Sequence, residues 1–266
     1  MSSLQLYFRL IGLSMASRMQ YRVDFIAGAL GVIVWNTSSL GLMGILIHSF
    51  AQLHGWTFWE LVFLYCLWIL GHSLYSLFFA HIDQMEDYLI EGAFDQFLLR
   101  PASPLIQFFG REIHSMGLAD VLIGITGISL ACTRLGLQWG SLKWTFFILA
   151  ILSGAIIELA LNLLIACTAF WTGRSRGGFI VMSQFKGVVQ QYPVDIFGGA
   201  FRLVVTGLIP VAFMNYYPAL ILLDKMERQG AWGWLGYMSP VVALVLVGLA
   251  SVVWRLALGR YASSGS

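Results

Sequence analysis

Charged residues fall in short clusters along this chain, and the long apolar runs between them predict its helices. From Phe25 to Trp59 there is no Asp, Glu, Lys or Arg, which leaves room for a span at 25–47 and an outer loop. Further spans are expected at 60–80, 106–131, 144–171, 194–216 and 235–256. Each has roughly the 20 apolar residues that a hydrocarbon core of about 30 Å requires. The fifth is the least regular. Residues 177–191 are amphipathic, carry Lys186 and are halted by Pro193. Residues 194–216 are more apolar but hold Asp195 and Arg202 in their first half, with Pro210 as a kink. The crossing is assigned to 194–216. Ahead of the first span, Leu6, Leu10 and Leu13 recur at helical spacing beside Arg9, Arg18 and Arg22. Residues 1–24 therefore read as an interfacial helix lying on a membrane surface.

Composition fixes the solvent. The chain is 59% hydrophobic and 11% charged, whereas soluble domains run near a quarter charged because they must face water. The expected class is an all-α polytopic membrane protein with six transmembrane helices and no internal repeat. A net charge of +2 with dispersed bases argues against a nucleic-acid partner. Cys66, Cys132 and Cys167 stand inside apolar runs without CxxC spacing and read as small buried hydrophobes. The arginines that interrupt the first apolar stretch argue against a signal peptide.

Lys and Arg counts set an expected orientation with both termini in the cytoplasm. Arg9, Arg18, Arg22, Arg100, Arg111, Arg174, Arg176, Lys186, Arg202, Arg255 and Arg260 then lie inside, and Arg134, Lys143, Lys225 and Arg228 outside. Trp56, Trp59, Trp139, Trp144, Trp232 and Trp234 gather at the outer interface as an aromatic belt.

The longest inner loop, 83–104, contains "LIEGAFDQFLLRPASP". Gln84, Asp87, Glu91 and Asp95 share one helical face, and Ile90, Phe94, Phe97 and Leu98 another. Arg100 suits the helix C-terminus, and Pro101 ends the helix. The pattern fits a compact helix at the membrane mouth, either a plain connector or a docking element for a soluble partner.

"EGAFDQFLLRPASP" resembles the cytoplasmic loop after the second span in permeases of the ABC-2 family, the membrane halves of ATP-driven exporters. "QQYPVDIFGGAFRLVVTGLIPVAFMNYYPA", residues 190–219, resembles one branch of that family, with Tyr-Pro before the fifth span and Ile-Pro-Val-Ala and Tyr-Pro-Ala closing it. The resemblance implies a type V exporter-like fold with a coupling helix at about Asp87–Leu99. Asp87, Glu91, Phe94, Asp95, Phe97, Arg100 and Pro101 would make or shape the contacts to an ATPase. No GxxxxGK[ST] occurs here, so ATP and Mg are expected on separate nucleotide-binding subunits and no cofactor on this chain. The implied partners are two such ATPases, a second ABC-2 permease (a different chain favoured over a second copy) and membrane lipid, in a bacterial inner membrane.

Polar residues within the spans mark a candidate transport path. Glu158 and Asn162 stand one turn apart in the fourth span, and Asp120 near mid-depth in the third. An ionised carboxylate at the bilayer centre costs at least about 2.5 kcal/mol, so these groups face protein or water. They line a path or tie helices together, with Asn162, Thr126 and His114 as available partners. The family's path, around spans two and five, further implicates His72, Ser73, Tyr75, Ser76, Gln191, Tyr192 and Arg202, with Asn215 near the exit. A different class, an ion-coupled transporter using Asp120 and Glu158 as a proton relay, calls for an inverted repeat that the sequence lacks. An intramembrane enzyme calls for paired catalytic groups, and the five histidines are scattered. Two buried acids among aromatics favour an amphipathic or cationic substrate.

Overall fold

A computed structural model describes residues 22–50, 55–101, 103–111, 114 and 116–261. Those residues form helices and turns without a strand, and five helical segments are long and apolar enough to cross a membrane. The chain is therefore the all-α, multi-pass membrane protein its composition predicts. The expected interfacial helix at 1–24 lies almost wholly outside the described residues.

Helix α1 is Arg22–Phe50 and α2 is Phe58–Phe79. A 3-10 turn, Ala80–Gln84, leads to three short helices: α3 (Met85–Ile90), α4 (Asp95–Leu98) and α5 (Pro104–Phe109). Then follow α6 (Met116–Leu135), α7 (Ser141–Cys167), α8 (Ala169–Thr172) and α9 (Arg176–Gln191). After a broken stretch that contains α10 (Gly199–Leu203) and α11 (Tyr216–Leu222), α12 (Ser239–Leu258) closes the bundle. The expected first, second, fourth and sixth spans overlap α1, α2, α7 and α12.

Helix α2 is the axis. It is buried without interruption from Leu61 to Gly71, with α6 and α7 against its sides, α1 beyond α6 and α12 beyond α7. Glycine permits the closest of these contacts. A Cβ on Gly117 of α6 would lie 2.9 Å from the Ser73 carbonyl oxygen, and one on Gly124 would meet Leu70. Small residues matter here because lipid tails supply no hydrophobic drive between helices, and association relies on close van der Waals packing. A Cβ on Gly41, Gly198 or Gly199 would meet nothing within 4 Å, and one on Gly44 would make only ordinary contact with the Phe58 ring.

Two expected spans differ in the structure. The third does not start at 106. Helix α5 stops at Phe109 with Gly110 as its cap, and α6 begins at Met116. Arg111 stays out of the bundle because its guanidinium sits over the Tyr88 ring, 4.8 Å from the centroid. Asp120 consequently lies about one turn inside α6, where it meets Asn36 at the middle of α1.

The fifth differs more. Helix α9 starts beside the 80–104 loop, where the Ser175 N–H donates to Glu86. Shortly past its end, Trp56 Nε1 lies 3.1 Å from both Asp195 carboxylate oxygens. Sixteen residues span about 24 Å, so α9 and the extended Tyr192–Pro193 run from the loop end of the bundle to the Trp56 end. Segment 194–222 starts and finishes at that second end. Gly199–Leu208 and Val211–Leu222 meet at 78°, a hairpin that dips inward until Met214 lies against Gly154, midway along α7. It returns to Leu222, whose carbonyl accepts from Trp139 Nε1 at 3.2 Å. Pro210 supplies no amide hydrogen and marks the break. Arg202 thus sits at the Trp56 end. Trp56 itself is wholly buried, so it is a packing residue rather than a belt anchor.

Substituting Gly117 by Leu drives a side chain into α2 backbone and should cost about 1–3 kcal/mol or more. The expected result is a lowered midpoint for heat-induced aggregation in detergent, while Gly41→Leu leaves the midpoint unchanged or raised. Equal midpoints for the two variants would contradict the packing described.

Candidate functional site

Three helices each put one ionisable side chain into the interior of the bundle. Glu158 of α7 is fully buried. Its Oε1 accepts a hydrogen bond from Lys186 Nζ of α9 at 2.8 Å, and His72 Nδ1 of α2 is 3.0 Å from both carboxylate oxygens. A lone buried charge is prohibitive, but one with good geometry and several donors is tolerable. The surroundings complete the set. Trp68 stacks on His72 with centroids 4.5 Å apart at 14°. Lys186 Nζ lies 5.8 Å from the Tyr75 ring centroid, and the Tyr75 hydroxyl donates to Asp83 at 2.6 Å.

A second polar group joins α1, α2 and α6. Asn36 donates to Asp120 Oδ1 at 3.1 Å and to the Val32 carbonyl at 2.9 Å, and accepts from the Tyr65 hydroxyl at 2.9 Å. Asn36 is committed on every side, whereas Asp120 keeps a second oxygen. The two groups share one cavity of about 500 Å³, whose lining includes Trp35, Asn36, Trp68, His72, Asp120 and Gln190. An acid, an imidazole and two indoles thus line one space of drug-sized volume.

The expected path residues divide accordingly. His72 and Glu158 touch, and His72 and Asp120 line one cavity. Tyr75 and Asn162 are buried next to this centre, with Asn162 one turn along α7 from Glu158. Ser73 is buried and spends its hydroxyl on the Leu70 carbonyl. Ser76 and Gln191 are half-buried. Tyr192 merely ends α9, and Arg202 donates to the Asp195 carbonyl at 3.3 Å. Asn215 is no open exit group. It is fully buried, caps α11 through the Tyr216 amide, and donates to Val189 and Leu64 carbonyls, which ties the hairpin to α9 and α2. The partners of Glu158 are His72 and Lys186; Thr126 is spent on its own helix. Sequence reading passed over Asn36, Trp35, Trp68 and Gln190, and did not place Lys186 in the site. A lysine on an amphipathic stretch, opposite a lone glutamate in a neighbouring apolar span, was the available signal.

The 83–104 loop is not one helix from Asp87 to Leu99. Gly92 adopts φ +68°, and the Phe94 N–H turns back to the Tyr88 carbonyl at 3.0 Å. The chain thus breaks between α3 and α4 where only glycine is unstrained. Phe94 and Phe97 are buried anchors, not outward contacts. Phe94 packs edge-on against Phe170, Trp254 and Tyr261, and Phe97 edge-on against Phe108. Asp95 accepts from the Tyr261 hydroxyl at 2.7 Å. Burial, then the Asp95 carboxylate beside it, push that hydroxyl up to about 12, so it remains a donor. Asp87 pairs with Arg176. What projects from this aromatic seat is Ile90, Glu91, Leu98, Leu99, Arg100 and Pro101, all exposed, with Leu99 85% exposed. Three aliphatic residues flanked by one acid and one base form a mixed patch at the loop tip, and Ile90 and Leu99 were not among the expected contacts.

A family model described as "ABC-2 family transporter protein" matches residues 32–265. No curated protein matches the chain, and no solved structure does.

Removing one member of the buried triad strands the others. Glu158→Ala leaves Lys186 uncompensated and should destabilise the bundle by about 3–5 kcal/mol. The double substitution Glu158→Leu with Lys186→Met should recover most of that loss, because it removes both charges. Thermal midpoints of the purified variants test this; a double variant as unstable as Glu158→Ala would deny that the pair interacts.

Proposed function

The chain belongs to the ABC-2 family of transporter proteins and is a permease of an ABC transporter; from that premise we propose that it exports a hydrophobic or amphipathic compound, driven by ATP hydrolysis on separate subunits. Two nucleotide-binding subunits carry ATP and Mg and dock at the loop end, which faces the cytoplasm of a bacterial inner membrane with both termini. A second ABC-2 permease, a different chain or a second copy, completes the membrane half. The observation that carries this reading is the seated loop. A projecting Leu98, Leu99, Glu91 and Arg100 patch on an aromatic base is the form of a docking element: rigid beneath, mixed in chemistry on top.

Orientation agrees with the Lys and Arg distribution after the fifth crossing is reassigned. Arg100, Arg111, Arg174, Arg176, Arg255 and Arg260 stand at the loop end, and moving Arg202 to the other end leaves the excess in place. Substrate class follows from the cavity. Trp35 and Trp68 supply apolar area, and Asp120, held by a neutral amide rather than a cation, supplies a negative partner for a positively charged head. ATP binding closes the soluble pair, the loop shifts, and the helices flanking the cavity reorient to release the compound outward.

Two outcomes are expected. Reversing the exposed charges together, Glu91→Arg with Arg100→Glu, abolishes copurification of the ATPase while the permease keeps its thermal midpoint; retained copurification would remove the tip from the interface. Asp120→Asn lowers ATP-driven uptake of a lipophilic cation such as tetraphenylphosphonium into inverted vesicles by about tenfold, the scale of one desolvated charge contact, with ATP hydrolysis maintained. Unchanged uptake would take Asp120 out of the substrate path.

A further inference from the structure

Helix α9 links the loop to the cavity, and a buried carboxylate on the loop side fastens its start. Glu86 of α3 is 8% exposed. Its Oε2 accepts from the Ser175 N–H at 2.6 Å and from the Arg176 N–H at 2.9 Å. These amides open α9, and the first turn of a helix leaves its N–H groups without partners inside the helix. A side chain at the cap position serves the second and third helical amides, so Ser175 could not accept from its own N–H or from that of Arg176. The acceptor for these two comes from an element 89 residues earlier. Asp87, the next residue, adds an ion pair to Arg176. Further along α9, Lys186 grips Glu158 and Gln190 forms part of the cavity wall. The same helix is thus fastened to the loop at its first turn and to the cavity beyond its middle.

We infer that Glu86 is a positioning residue that carries displacement of the loop into α9, and through α9 to the Lys186–Glu158–His72 contact and the cavity wall. The inference rests on the ATP-driven reading given above. A side chain at the cap position cannot reach these two amides, and a carboxylate from another element that does so adds a tie between the two elements. Its bonds are charge-assisted and aligned with the helix dipole, the stronger kind of link available at such a junction. A rigid helix held in this way moves with the loop instead of sliding past it.

The test separates a tie from a cap. Hydrogen exchange is followed in the permease–ATPase complex, in nanodiscs, with and without ATP and vanadate. The segments read are the loop tip, the start of α9 and the stretch around Gln190. In the wild type both the loop and α9 change on trapping. Glu86→Ala exposes the Ser175 and Arg176 amides, speeding their exchange about tenfold or more, and the loop still responds while the Gln190 stretch does not. Adding Ser175→Asp supplies a local cap to the Gly177 and Gly178 amides, so that the first turn of α9 and the thermal midpoint recover in part while the Gln190 response stays lost. A Gln190 response in either variant equal to the wild type would overturn the inference, since Glu86 would then be only a cap. A wild-type complex whose loop ignores ATP would instead refute the ATP-driven reading, and the inference with it.

Discussion

Glu158 has no exposed surface, sits in a strongly apolar helix, and must be compensated where it stands. That requirement fixes the neighbours of α7. A carboxylate in hydrocarbon needs donors on more than one side, and His72 and Lys186 approach from α2 and α9. Lys186 reaches Glu158 from the face of α9 that also buries Met182 and Val189, while Gln184 on another face stays exposed. A helix whose charge is neutralised by protein can cross the bundle with a composition that lipid alone would reject. This accounts for a crossing that carries Lys186 and Gln190 next to spans of almost pure aliphatic sequence.

Consequences of that crossing extend to both ends. At the Trp56 end, α9 finishes and the chain has to reach α12 without traversing again. It does so with the inward hairpin 199–222, whose turn is held by Asn215 to α9 and α2 and by the Phe213 carbonyl to Ser239. Irregular backbone at depth is tolerated only when protein satisfies it, and these side chains do so. At the loop end, Phe94 nests among Phe170, Trp254 and Tyr261, which binds the 83–104 loop to the ends of α7 and α12. The loop is therefore part of the bundle's end face and not a tether hanging from it.

The class of fold was legible because hydropathy reports the solvent, and lipid leaves a strong imprint on composition. Helix identity in the fifth region was not. A window of apolar residues favours 194–216 over 177–191, yet hydropathy records apolar composition rather than passage through the bundle, and α9 passes with its lysine paired to Glu158. Interruption of the third span had a local sign in Gly110 and Arg111. The loop break likewise had one in Gly92, since a glycine inside a helical pattern often marks its end. For the candidate site, single residues were legible and their pairings were not. Glu158, His72 and Asp120 stand out as polar groups in apolar runs, but which cation meets which acid depends on helix order, and no periodicity encodes that. Phe94 and Phe97 show the same limit. An aromatic on a loop helix reads equally as a docking group or an anchor, and the contacts with α8 and α12 decide for the anchor.

The pairing also bears on how the chain would be driven. A proton relay needs a carboxylate that gives and takes a proton without disturbing its frame, with a second acid in line. Protonating Glu158 would leave Lys186 buried opposite a neutral acid and would loosen three helices together. Asp120 is not in contact with Glu158; His72 stands between them, touching one and sharing a cavity with the other. An arrangement in which the charge is the fastening suits a machine whose helices move as tied bodies under an outside force. Force of that kind enters most effectively where the bundle is stiff, and the aromatic seat beneath the exposed Leu99 and Arg100 is such a place. The polar interior then serves to keep α2, α7 and α9 in step, while the cavity beside it changes shape through their relative tilt.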